Sequence, residues 1–111
     1  MKGLVNVLIL SISVLFMSSV NAASGGSTGK ITNIYWYEGH RGVLLKQEGM
    51  SDLGECGRAD YYILDDGHPF FKEIYSLILS AHLSSQPLNL HLNGCVQGIS
   101  RVKHVSSLKT P

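Results

Sequence analysis

Hydrophobic and polar positions alternate with several different spacings along this chain, and each change of spacing marks an element. Between residues 4 and 17 the chain is almost wholly apolar, with one lysine before it and the small or polar residues Ser18, Ser19, Val20, Asn21 and Ala22 after it. A charged start, an apolar run and a small-residue end form a secretory signal, so residues 1–22 are expected to be a cleaved signal peptide. A membrane anchor needs roughly 20 apolar residues, and this run is shorter. No membrane span is therefore expected after cleavage.

Residues 23–29 are Gly and Ser rich with nothing large to bury, so they read as a flexible leader. Residues 30–37, KITNIYWY, are β-branched and aromatic and end at a turn holding Gly39 and Gly42. With the apolar run Val43, Leu44 and Leu45 behind that turn, they predict a hairpin. After an aperiodic loop, residues 59–64 predict a third strand. Asp65, Asp66, Gly67, His68 and Pro69 stop it and start a helix, with Asp66 or His68 placed to cap it. Phe71, Ile74, Tyr75, Ile78 and Ala81 keep the spacing of one helical face, and Leu77 and Leu79 widen it toward a helix buried on most sides. Pro87 ends that helix. Leu88, Leu90 and Leu92 then alternate with Asn89, His91 and Asn93 as a strand does, a turn is expected at Gly94 and Cys95, residues 99–105 predict a last strand, and 106–111 read as a disordered tail.

The predicted order is three strands, a helix and two strands. That is the order of a five-stranded OB-fold-like Greek-key barrel over residues 30–105, mainly β with one helix closing a barrel end. An open five-stranded sheet with the helix laid on one face is the competing architecture.

A length of 111 residues leaves room for one domain. The formal charge is +1, and loss of Lys2 with the signal peptide leaves the chain neutral, so a polyanion has no basic footprint to bind and no nucleic-acid partner is expected. Cys56 and Cys95 are the only cysteines. In an exported chain without a CxxC spacing they predict a disulfide, which would destabilise the unfolded chain by about 4 kcal/mol in the loop-entropy model.

Candidate chemistry is sparse. His40, His68, His82, His91 and His104 form no HxH, HxxxH or HExxH spacing, so no metal site is expected. Asp65 and Asp66, just before the helix, are expected to stabilise its N-terminus rather than act as an acid-base pair. No nucleophile elbow is present and the cysteines are paired, so neither catalysis nor a cofactor is expected. The aromatic runs Tyr35, Trp36, Tyr37 and Tyr61, Tyr62 must send rings to both faces of their strands. With Ile34 and Trp36 turned inward, Tyr35 and Tyr37 face out and offer a sugar-stacking or protein-docking surface.

The helix stretch from His68 to Leu83, then Pro87, a strand, Gly94 and Cys95, resembles small exported OB-fold proteins of Gram-negative bacteria. It is similar in particular to the B subunits of AB5 toxins of the subtilase-cytotoxin type. That resemblance implies a secreted or periplasmic, non-enzymatic subunit able to form a ring of five and to bind a glycan. The family holds sialylated glycans in a polar site near the first strand, for which Thr28 and Thr32 are the positions available here, with Glu55 or Asp60 as the acidic member. Residues 32, 35 and 37 (Thr32, Tyr35 and Tyr37) are thus the expected ligand-binding set. The expected function is an exported binding module that takes a glycan or an exported protein and oligomerises; the alternative is a monomeric docking or inhibitory module.

Overall fold

A computed structural model describes residues 23–108. The expected signal peptide and the last three residues of the expected tail lie outside this range. Among the described residues there are five strands, β1 (Ser24–Tyr35), β2 (Gly42–Gln47), β3 (Tyr62–Asp65), β4 (Pro87–Val96) and β5 (Ile99–Ser107), and one helix, α1 (Phe71–Ser84). The strands form one sheet that closes on itself in the order β1, β2, β3, β5, β4. All neighbours are antiparallel except β3 and β5, which run parallel through Tyr62 opposite Ser100 and Ile63 opposite Arg101. The open-sheet architecture is thereby excluded. Among the described residues, no helix is long and apolar enough to cross a membrane.

Closure is made by residues expected to be a flexible leader. Ser24 to Lys30 pair without interruption against Asn93 to Pro87 of β4. A ladder needs only backbone groups, so a segment poor in apolar side chains still joins a sheet when a partner edge is available. Small residues also suit the inside of the ring here: Gly25 packs on Leu53, with only 3.1 Å between an added Cβ and that side chain.

The inside is filled by Ile31, Val43, Leu45, Tyr62, Leu64, Leu88, Leu90, Leu92 and Val102, together with Ile78 and Ala81 from the helix. One polar chain crosses this apolar filling. The backbone N–H of Ser51 donates to the Tyr62 hydroxyl (3.3 Å), which donates to Ser27 Oγ (3.1 Å), and Ser27 donates to Gln47 Oε1. Gln47 Nε2 then donates to the carbonyls of Gly29 (3.0 Å) and Leu88 (3.1 Å), tying β1, β2 and β4 together. Every polar atom in this chain has a partner, which is the condition for burying one at little cost.

Three bulges set the register. Thr32 is extra in β1 between the pairs Ile31–Gln47 and Asn33–Lys46. Lys103 is extra in β5, so strict alternation from 99 to 105 fails and Lys103 and His104 are both exposed. The third lies in β4 between Leu92 and Cys95, and β4 runs on through the Gly94 and Cys95 expected to turn. The turn falls at Gln97 and Gly98, both at positive φ. Strand β3 is shorter than expected at its start and β5 longer at its end, taking in Ser106 and Ser107.

Of the two residues expected to cap the helix, His68 fastens its start and Asp66 does not. Phe70 occupies the N-cap without any side-chain bond, because Asp65 and Asp66 are drawn into ion pairs with Arg101 (2.7 Å) and Arg41 (3.1 Å). His68 instead fastens the helix start: Phe70 N–H donates to Nδ1 (3.0 Å), which leaves Nε2–H to donate to the Lys103 carbonyl (2.9 Å). At the other end Ser85 takes the left-handed conformation and Gln86 N–H donates to Ala81 O. Only Ile78 and Ala81 of α1 are fully buried, and Leu83 is 75% exposed. The helix is thus half-buried, with Phe71, Ile74, Tyr75 and Leu77 packed against the core beside Ile78 and Ala81 and its other face in solvent.

Candidate functional site

Strand β2 is buried on both faces. Val43, Leu45 and Gln47 point into the ring, while Leu44, with Ile63 of β3 and Ile99 of β5, forms a second apolar cluster on the outer wall. Tyr35, Tyr61 and Val96 cover that cluster. Tyr35 closes β1, and Tyr37, two residues on and therefore turned the same way, is 43% exposed. Their rings stack with centroids 5.3 Å apart. Tyr61 stands edge-on to both, at 5.6 Å from Tyr35 and 6.2 Å from Tyr37, and the hydroxyls of Tyr37 and Tyr61 approach to 3.5 Å. The adjacent Tyr61 and Tyr62 are split across the sheet, one to this patch and one to the buried polar chain.

Two cations frame the patch. Lys46 Nζ lies 5.1 Å from the Tyr61 ring centre and the Arg58 guanidinium 5.4 Å, within the range of a cation–π contact. Arg58 is held two-pronged by Asp60, at 2.6 and 2.7 Å. Those bonds hold the Asp60 carboxyl below, and the Arg58 guanidinium above, their ordinary ranges. The bond to Tyr61, then partial desolvation, raises the Tyr37 phenol above 10.0. The patch therefore offers phenol hydroxyls, the Arg58 guanidinium tethered by Asp60, and Lys46, which has no ion pair among the described residues.

The loop between β2 and β3 brings Arg58, Asp60 and Tyr61 to this wall, and a disulfide anchors it. Cys56 and Cys95 are bonded, with Cα atoms 5.8 Å apart. Gly54 sits beneath the crosslink, where its N–H donates to Ser100 Oγ (3.0 Å) and an added Cβ would come 2.5 Å from the Gly94 carbonyl. Asp52 braces the loop by accepting from the N–H groups of Cys56 (2.7 Å) and Gly57 (2.8 Å).

Of the expected ligand-binding set, the structure brings Tyr35 and Tyr37 together and leaves Thr32 apart. Thr32 is exposed at the β1 bulge, three residues and about 10 Å of strand from Tyr35. Thr28 is further off, donating to Asn89 Oδ1 at 3.0 Å. Asp60 reaches the patch only through Arg58, and Glu55 stands exposed on the loop. Trp36 points the opposite way from its neighbours but is 57% exposed, resting edge-on against Tyr75 (5.4 Å) and Phe71 (6.2 Å) rather than entering the core. Lys46 and Arg58 were not legible as site members, because their place depends on the β2–β3 pairing and on the path of a 14-residue loop; the alternation that turns Tyr62 inward is the one signal that places Tyr61 outside.

Elsewhere, a groove of about 320 Å³ lies between α1 and β5, lined by Phe70, Glu73, Ile74, Leu77, Lys103 and Val105 among others. Among the described residues no group of three or more His, Cys, Asp or Glu side chains is placed to hold a metal ion. No protein-family model, no curated protein and no solved structure matches the chain.

Proposed function

We propose that the protein is an exported, non-catalytic binding module on an OB-fold barrel, and that it recognises a glycan through Tyr35, Tyr37 and Tyr61. The tyrosine cluster, with Tyr37 exposed and Tyr35 and Tyr61 half-buried beside it, carries this reading. A sugar ring lays its C–H face on an aromatic ring, and phenol hydroxyls offer donors and acceptors at the rim. Lys46 adds a positive charge suited to an acidic substituent. On an OB-fold reading, oligosaccharides and oligonucleotides bind on the barrel wall, which supports a patch on the outer wall as the binding face, and a neutral processed chain disfavours the latter ligand. The disulfide and the apolar N-terminal run support a secreted or periplasmic location.

A glycan array probed with the oxidised chain tests this. Tyr37→Ala is expected to abolish the signal with an unchanged melting transition. Absence of any glycan signal from the folded wild type overturns the glycan reading. The second reading, a module that docks an exported protein, is favoured by Trp36, whose exposed indole forms a separate aromatic surface with Tyr75 and Phe71 of α1. Light scattering separates the assembled form that the toxin resemblance implies, a ring of five, from a docking monomer.

A further inference from the structure

We propose that His91 and His104 form a two-histidine clamp for a borderline divalent transition metal, Zn²⁺, Ni²⁺ or Cu²⁺, on the outer wall formed by β4 and β5. The two residues are direct partners in the β4–β5 ladder. Their rings lie 5.4 Å apart, centre to centre, at an angle of 27°. Directly opposed antiparallel residues hold their Cβ atoms at about 5 Å, and a metal with M–N bonds of 2.0–2.1 Å sets its two nitrogens roughly 3.3 Å apart. Rotation about χ2, a soft torsion for His, turns ring nitrogens toward one another from the stacked position.

Availability separates this pair from His68 and His82, whose rings are bonded to protein. His68 uses both nitrogens, on Phe70 N–H and the Lys103 carbonyl, and His82 Nδ1 is committed to the Ile31 carbonyl at 2.8 Å. Neither nitrogen of His91 or of His104 has a hydrogen bond to protein among the described residues, and His104 is exposed. The bulge at Lys103 fixes this arrangement, because it turns His104 outward opposite His91 where strict alternation would turn it in. Lys103 is exposed beside His104, and its charge opposes any cation. Binding therefore rests on the imidazole–metal bond rather than on the local field, which selects Zn²⁺, Ni²⁺ and Cu²⁺ over Ca²⁺ and Mg²⁺. Two protein ligands leave the remaining coordination positions to water or to a donor group of a bound molecule.

Calorimetric titration of the oxidised, untagged chain with NiCl₂, ZnCl₂ and CaCl₂ tests the site. One transition-metal ion per chain is expected, with no calcium binding. His91→Asn and His104→Asn should each weaken nickel binding by at least the ~10–100-fold that follows loss of a site's supporting contacts, with near-ultraviolet circular dichroism unchanged. His40→Gln, in the β1–β2 turn, should bind as the wild type does. Nickel binding that survives in both the 91 and the 104 variant overturns the assignment, as does a wild type that gives neither heat nor shifted imidazole resonances with nickel.

Discussion

Tyrosine 62 and its neighbour Tyr61 show how one backbone step decides between structure and recognition. The Tyr62 ring is fully buried and its hydroxyl is the middle link between Ser51 and Ser27. Tyr62→Phe keeps the ring volume but removes the donor to buried Ser27 Oγ and the acceptor for the Ser51 N–H, which lies where water can replace it. A loss of about 0.5–1.5 kcal/mol in chemical denaturation is expected, the net contribution of a hydrogen bond. Tyr37 behaves differently because it is exposed. Its phenol ionises above 10.0, first because deprotonation disturbs the contact with the Tyr61 hydroxyl. In a titration that resolves the Tyr37 ring, Tyr61→Phe should therefore bring its transition back down toward 10.0, the ordinary tyrosine value. A titration curve unchanged by that substitution would show that the two hydroxyls do not communicate.

Among the elements, the loop between β2 and β3 and the helix carry the clearest energetic consequences. Cys56→Ser removes a crosslink spanning 39 residues and is expected to lower stability by about 4 kcal/mol on the loop-entropy account; a variant that melts with the oxidised wild type would mean the loop is held by Asp52 and Gly54 alone. Ile78→Ala hollows the contact of α1 with the ring interior and should cost about 2–5 kcal/mol, measured by urea unfolding. The helix, the β1–β2 hairpin and the alternating start of β4 were legible from spacing alone, as was the cysteine pair. What periodicity missed are features set by partners. A bulge at Lys103 reverses the facing of His104 without changing a residue type. Asp65 and Asp66 leave the helix end for arginines that lie 36 and 25 residues away. At the candidate site, the outward facing of Tyr35 and Tyr37 follows from alternation, whereas Lys46 and Arg58 reach Tyr61 only once the sheet is assembled.

For the molecule as a whole, the decisive contact is the one that closes the ring, and the segment that makes it carries little hydrophobic information. Ser24 to Gly29 contribute no large side chain, yet they occupy the free edge of β4 and place Ser27 in the polar chain with Tyr62 and Gln47. Without them the carbonyls and N–H groups of residues 88–93 would face water, Leu90 and Leu92 would lose their cover, and the exposed edge would invite pairing between chains. Comparing residues 23–111 with residues 30–111, both oxidised, isolates this contribution. The longer chain should unfold in one cooperative transition. The shorter one should lose its near-ultraviolet signal or self-associate, even though by composition it loses only glycine, serine, threonine and alanine. Equal melting transitions for the two would show instead that the helix and the disulfide hold β1 and β4 in place, and that closure of the sheet contributes nothing to the stability of the tyrosine-bearing wall.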